Sequence, residues 1–294
     1  MAVTKRLERG GYDLHTHTTA SDGLMAPRDS VALAASLGLA GLAITDHDTV
    51  AGVAEAVETG AALGVDVIPG VEISTKFEDE DVHMLGLWID PADPTLIARL
   101  ESNRDVRRGR NAKIVDKLCS FGFDVTLAEA EAIAAERRGG GDRSVSRPHL
   151  AELLVRKGYV SSVQEAFDVY LDANGKAYVS VDRIPPETAA AWIRDAGGVA
   201  VLAHPGLYRR DDAIVAALAD AVDGIEAAHA DHDERLERKY RALAERYGLA
   251  ATAGSDFHGV RDGAAYHAML GSRTVDRETI ARLETIRRRK RETI

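Results

Sequence analysis

Tyr12-Asp13-Leu14-His15-Thr16-His17-Thr18, near the start of the 294-residue chain, reads as a short strand of apolar and β-branched residues. Alternation along a strand puts His15 and His17 on one face, where two imidazoles can grip a cation from a fixed direction. A lone His-x-His also arises on solvated strands, so its meaning depends on the rest of the chain. After the turn-rich Thr19-Ala20-Ser21-Asp22-Gly23, Pro27 opens a helix that Gly38 stops. A second strand over 41–45 runs into Asp46-His47-Asp48, with Asp48 placed to cap a helix over 50–63. The third strand, 65–74, carries Glu72 in an apolar setting, and the fourth, 82–89, carries His83. Short apolar strands alternating with helices predict an α/β barrel or wound sheet.

The rhythm stops near residue 95. From 95 to 178 the pattern is helical and more charged, with Arg104, Arg107, Arg108, Arg110 and Lys113 on one helix and a flexible basic stretch over 137–143. The Arg104–Lys113 cluster reads as a solvated helix face, and the basic end Arg287-Arg288-Arg289-Lys290-Arg291 as a solvated helix terminus. Alternation then resumes, with strands ending at His204, at Glu226 to His229, and at Asp256 to His258. The expected organisation is a barrel formed by 11–94 and 179–294 around a helical subdomain, 95–178.

A formal charge of −10 disfavours loose binding to duplex nucleic acid or anionic membranes, while leaving open an anionic substrate met by bound cations. Cys119 is the one cysteine, which excludes an intramolecular disulfide and predicts a buried free thiol. No apolar leader opens the chain and no segment is long enough to span a bilayer, so a cytoplasmic protein is expected. His15, His17, Asp46, His47, Glu72, His83, His204, Asp256 and His258 fall at or near strand ends, where barrels place catalytic groups. Burying so many ionisable groups without cations would be costly, and metal ligation turns that cost into coordination.

These motifs, in this order and over nearly the whole chain, resemble the polymerase-and-histidinol-phosphatase (PHP) family: His15-Thr-His17 with Asp22, Thr45-Asp46-His47-Asp48, Pro69-Gly70-Val71-Glu72, His83, Ala203-His204-Pro205 and Gly254-Ser255-Asp256-Phe257-His258. The resemblance implies a distorted (β/α)7 barrel and a trinuclear metal site. His15, His17, Glu72 and Asp256 would hold a first cation, Glu72 with His83 and His204 a second, and Asp22, His47 and His258 a third. Such mixed ligation suits Mn²⁺, Fe²⁺ or Zn²⁺, with Mn²⁺ taken as first choice. The stretches Ser146-Arg147-Pro148-His149 and Asn174-Gly175-Lys176-Ala177-Tyr178 resemble a branch that removes the 3′-phosphate of nucleoside 3′,5′-bisphosphates and degrades short RNA from the 5′ end.

On that basis Arg147, His149 and Lys176 are expected to bind substrate and His229 to contact it, with Glu72, Asp256 and His229 in catalytic roles. The implied reaction is attack on a phosphomonoester by a metal-held hydroxide. Rivals are a histidinol-phosphate type of phosphatase, a cyclic nucleotide phosphodiesterase, and a non-catalytic metal-bearing interaction module. Asp46 and Asp48 are read as supporting groups rather than ligands.

Overall fold

Two glycines set the rhythm of the first half. Gly38 and Gly64 take φ of +75° and +70°, a region that glycine enters without a Cβ penalty. They end helices α1 (Pro27–Leu37) and α2 (Val53–Leu63) and return the chain to the sheet. The computed structural model describes residues 10–138, 145–172, 174–261 and 263–291. The N-terminal nine residues and the glycine-rich part of the basic stretch, 139–143, lie outside the described residues.

Strands β1 (Tyr12–Asp13), β2 (Gly41–Ile44), β3 (Asp66–Phe77), β4 (Glu80–Leu87), β5 (Val199–Leu202), β6 (Gly224–His229) and β7 (Ala250–Gly254) lie side by side in chain order. The chain returns to its start through Leu14 N–H to Ala253 O (3.2 Å) and His17 N–H to Phe257 O (2.8 Å), so the barrel is nearly closed. Pairing is parallel except at β4, which runs antiparallel to both β3 and β5. That reversal is the distortion: six strands share one direction and β4 enters the mouth with its first residues.

Strand alternation divides the core. Ala200 and Leu202 of β5 join an apolar cluster with helices α7 (Pro186–Asp195), α8 (Asp211–Leu218) and α9 (Glu234–Tyr247), while Val199 and Val201 face Leu85, Leu87 and α10 (Arg277–Arg291). Helices α3 (Pro94–Ser120), α4 (Leu127–Arg138), α5 (Arg147–Arg156) and α6 (Val163–Ala166), with the π-helical turn Phe167–Leu171, enclose a separate apolar cluster. Helix α3 serves both: Leu96 and Leu100 pack into the barrel, Ile114 and Leu118 into the helical group. A small hairpin, β8 (Val260–Arg261) and β9 (Ala264–Ala265), follows β7.

Three expectations change. Helix α2 starts at Val53 behind Gly52, and Asp48 does not cap it. The Asp48 carboxylate is instead fully buried, accepting from Ser74 N–H (2.9 Å), Asn103 Nδ2 (2.8 Å) and Arg107 Nη2 (2.6 Å). Cys119 is exposed, because the apolar stripe of α3 runs through Val115 and Leu118 and leaves position 119 on the outer side. The terminal basic run is not wholly solvated, since Lys290 pairs with buried Asp223 and Arg287 donates to Gly197 O. Among the described residues no helix is long and apolar enough to cross a membrane.

Tyr240 of α9 and Lys239 both donate to Asp211 at the start of α8. Burial raises the Asp211 pKa, but these bonds outweigh it and hold the carboxyl below its ordinary 3.8. A depressed carboxylate stabilises the fold above its unfolded-state pKa, and that contribution is lost as pH falls through the folded-state value. Asp211→Asn should therefore flatten the acid limb of Tm against pH below about pH 4, and a limb as steep as that of the unmodified protein, by scanning calorimetry, would contradict it.

Candidate metal centre

Glu72, on the long β3 and 1% exposed, is the hub of the barrel mouth. Its Oε2 lies 3.5 Å from His15 Nε2, 3.3 Å from His17 Nε2 and 2.9 Å from His47 Nδ1, and its Oε1 lies 2.8 Å from His83 Nδ1 and 3.1 Å from His204 Nε2. Asp256 Oδ1 stands 3.3 Å from His15 Nε2 and 3.0 Å from His17 Nε2. Asp22 closes the other side, 3.7 Å from His47 Nε2 and 3.4 Å from His258 Nε2. The structure thus brings His15, His17, Asp22, His47, Glu72, His83, His204, Asp256 and His258 to one place. It also sets His17 beside Asp22, His47 and His258, so that ring faces two donor groups rather than one. Strand direction explains His83: β4 is reversed, so a residue near its start reaches the mouth.

Alternation carries the first pair even though β1 is short, and Thr16 between the histidines turns away to donate to Ala43 O at 2.6 Å. Asp46 braces the following loop, accepting from Thr18 N–H (2.8 Å), Thr18 Oγ1 (2.7 Å) and Ser21 Oγ (2.5 Å). His15 Nδ1 donates to Glu226 Oε1 at 3.0 Å, and His258 Nδ1 donates to Asp256 O at 2.8 Å. Each of those rings then presents the lone pair of Nε2 to the cluster, the carboxylate- or carbonyl-backed orientation of metal-binding histidines.

Among the described residues, His15 Nε2, His17 Nε2, His47 Nδ1, Glu72 Oε2 and His83 Nδ1 are buried without a hydrogen bond of acceptable geometry. Buried polar atoms are rarely left so, and a concentration of them at one point marks a missing partner. Ligand atoms about 2.1 Å from one ion stand roughly 3.0–3.4 Å apart at tetrahedral or octahedral angles, and most of the separations above lie in or near that range. The residues fit divalent cations. In the protein alone the charges settle differently: burial lowers His17 but the adjacent carboxylates of Asp256 and Glu72 push it up to about 10, whereas burial takes His83 down to about 4 against the pull of Glu72. Burial also raises Glu72, Asp22 and Asp256, yet the surrounding imidazoles hold all three well below the carboxylate range. A cation would displace the protons those imidazoles carry.

His229 behaves differently. Asp231 N–H donates to its Nδ1 at 3.2 Å, so the neutral ring carries its proton on Nε2, which faces Asp256 Oδ2 at 3.5 Å. In that tautomer it turns an N–H rather than a lone pair towards Asp256, although with His15 and Glu226 it also forms a group close enough to hold a cation. His232, with Nδ1 donating to Ala227 O and Nε2 accepting from Gly206 N–H, is wholly structural.

The expected substrate contacts separate. Arg147 lines the cavity in front of the cluster and lies 3.6 Å from Asp81. His149 is fully buried, and its Nδ1 accepts from Ser146 N–H (3.0 Å), fixing the first turn of α5. Lys176 is exposed and stands 5.8 Å over the Tyr170 ring, away from the cluster. Arg107 and Arg110, read as solvated, are buried and line the same cavity, which corrects that reading for these two; Arg108 remains exposed. Asn103, Arg107, Arg110 and Ile114 share one face of α3, a spacing of three and four that carried the signal. Arg183, also lining the cavity, and His267, which lies 3.3 Å from Asp256, sit in no motif and gave none. Bonds to Asp231 and Asp256 push His267 up to about 10 against burial.

The PHP domain family matches residues 13–181. A 5′-3′ exoribonuclease of Haemophilus influenzae is 36% identical over 252 residues, covering 84% of this chain and 89% of its own length. A 3′,5′-nucleoside bisphosphate phosphatase of Chromobacterium violaceum is 37% identical over 261 residues, covering 85% and 88%. A solved structure from Bifidobacterium adolescentis, named as a candidate metal-dependent phosphoesterase, superposes with a TM-score of 0.82 at 33% identity, over 95% of this chain and 96% of that one.

Proposed function

This chain belongs to the PHP domain family and is a hydrolase of phosphoesters, and on that premise we propose that it removes the 3′-phosphate of nucleoside 3′,5′-bisphosphates, with short 5′-phosphorylated RNA as an extended form of the same ligand. The observation that carries this reading is one cavity with two anion-handling walls. Its lining joins Glu72, His83, His204 and His258 of the cluster to Arg107, Arg110, Arg147 and Arg183 with Ser146. The acidic partners of those guanidinium groups are Asp48 and Asp81, which leaves an excess of positive charge. Burial, then repulsion from Arg183, Arg147 and Arg107, holds Arg110 well below its ordinary pKa. Nε of Arg107 and of Arg110 is buried without a partner among the described residues. A phosphate dianion supplies the missing charge and acceptors, in the bidentate geometry guanidinium favours. A substrate with two phosphates uses both walls.

His15, His17, Asp22, His47, Glu72, His83, His204, Asp256 and His258 would hold three divalent cations, Mn²⁺ first among Mn²⁺, Fe²⁺ and Zn²⁺. Such cations supply water acidic enough to attack at neutral pH and offset the charge of the phosphate under attack. The Nε2–H of His229 lies 3.5 Å from Asp256 Oδ2, at the edge of the cluster, and from there donates to the leaving oxygen. His149 acts through the capped turn that presents Arg147. A second cavity, about 430 Å³, leads on past Arg147 and Leu207 to Asp172, Asn174 and Tyr178 and takes the nucleoside or following nucleotides.

The test follows free phosphate from adenosine 3′,5′-bisphosphate, adenosine 3′-monophosphate and histidinol phosphate, mononucleotide from a 5′-phosphorylated oligoribonucleotide, and ring-opened monophosphate from a cyclic nucleotide, with Mn²⁺ and after chelation. The bisphosphate should exceed the 3′-monophosphate in kcat/KM by about a hundredfold, since charged hydrogen bonds contribute about 1.5–3 kcal/mol each. Chelation should abolish release and lower Tm, and Mn²⁺ should restore both. Equal rates on the two adenosine substrates, or preference for histidinol phosphate, would defeat the substrate assignment. Inactivity of the Mn²⁺-loaded protein on every phosphoester would favour an interaction module.

A further inference from the structure

Asp256 divides its carboxylate oxygens between two sets of groups. Oδ1 lies 3.3 Å from His15 Nε2 and 3.0 Å from His17 Nε2. Oδ2 turns the other way, 3.5 Å from His229 Nε2 and 3.3 Å from His267 Nδ1. His267 Nδ1 also donates to the main-chain oxygen of Asp256 at 3.1 Å, beside His258 Nδ1 at 2.8 Å. Asp256 has a φ of +54°, where a non-glycine residue is strained and persists only where its surroundings over-determine it. Two imidazole N–H groups on one carbonyl, with Asp256 N–H bonded to His15 O at 2.9 Å, do so here.

On its far side His267 Nε2 meets Asp231 Oδ2 at 3.1 Å. Asp231 N–H sets the tautomer of His229, so one residue orients both groups that face Asp256 Oδ2. We propose that Asp231 and His267 are positioning residues that hold Asp256 Oδ2 away from the cations, so that Asp256 offers Oδ1 alone, at a fixed angle, to the cation it shares with His15 and His17. The inference rests on the metal reading of the site. A carboxylate free to rotate can bind through one oxygen or two, whereas one whose second oxygen lies between two imidazole nitrogens, on a backbone pinned at its carbonyl, is kept turned from the cation. A separate cation on Asp256, His258 and His267 is the rival use of these residues. Geometry opposes it, because His267 spends Nδ1–H on a carbonyl and aims Nε2 at Asp231.

The experiment is calorimetric titration of Mn²⁺ into the full, metal-stripped chain, for the unmodified protein and for His267→Ala, His267→Asn and Asp231→Asn, alongside steady-state kinetics. His267→Ala should weaken the affected Mn²⁺ site about 10–100-fold and lower kcat with KM unchanged. His267→Asn, whose amide nitrogen can reach the same carbonyl, should recover most of that loss. Metal-free variants should still fold with a single cooperative melt, because His267 lies on a surface loop. Unchanged Mn²⁺ affinity in His267→Ala rejects the proposal, and failure of His267→Asn to recover rejects the donor role in favour of loop packing. Asp231→Asn binding as tightly as the unmodified protein removes Asp231 from it. An unmodified protein that binds no Mn²⁺ removes the metal reading itself, a result distinct from all of these.

Discussion

Glu72→Gln should lower phosphate release by about a thousandfold or more at saturating Mn²⁺, because several kcal/mol of charge stabilisation depends on the cations this side chain would join. Both carboxylate oxygens are in use. Oε2 faces His15, His17 and His47, and Oε1 faces His83 and His204. An amide keeps the volume and one oxygen, but it loses the negative charge and turns an N–H₂ towards ring nitrogens. The barrel should still form, since the neighbours of Glu72 on β3, Val71 and Ile73, lie in the apolar cluster under α7 to α9. The rise in Tm on adding Mn²⁺ should shrink, because fewer or weaker sites bind to the folded state. Turnover within tenfold of the unmodified protein, with a normal Mn²⁺-induced rise in Tm, would show that Glu72 does not bridge cations.

The cluster was legible because its donors stand in short motifs at strand ends, and a strand end has one direction to face. Fold class followed from the alternation of apolar strands with helices, most clearly where Gly38 and Gly64 break α1 and α2. The reversal of β4 was legible too, although the (β/α)7 expectation did not mark it. Only Glu78 and Asp79 separate β3 from β4, and parallel neighbours need a crossover of about a dozen residues. Asp48 was misread because N-cap chemistry and burial under an arginine call for the same residue type. The choice lay with α3, which delivers Asn103 and Arg107 from more than fifty positions away. Arg183 and His267 had no legible role, since each acquires one only from groups the fold brings beside it, Asp81 for Arg183 and Asp231 and Asp256 for His267. Arg108 and Arg110 show the limit of reading charge alone: two positions apart on one helix, one is exposed and the other lines the cavity.

Arg110→Met should make the metal-free protein more stable and the enzyme worse. In the free protein Arg110 is buried, with Arg107, Arg147 and Arg183 close enough to depress its pKa and Asp81 set against them. Replacing a buried, repelled cation with an apolar side chain of similar length removes desolvation and repulsion together, which is neutral or stabilising where the volume is kept. When a second phosphate enters, the same guanidinium becomes its partner, so the cost carried by the free protein is recovered on binding. Loss of one such bond, about 1.5–3 kcal/mol, lowers kcat/KM for adenosine 3′,5′-bisphosphate by about a hundredfold. The double variant Arg110→Met/Arg183→Met should lose about a thousandfold or more, with less than full additivity because the two groups repel each other. Neither change should alter kcat/KM for adenosine 3′-monophosphate, which has no second phosphate to lose. Arg107 is unsuited to the test, since it also binds Asp48 beside His47 and its removal would disturb the metal wall. Calorimetry and parallel kinetics on the two substrates decide the matter: a lower Tm combined with equal losses on both would mean that Arg110 holds the fold together rather than a phosphate.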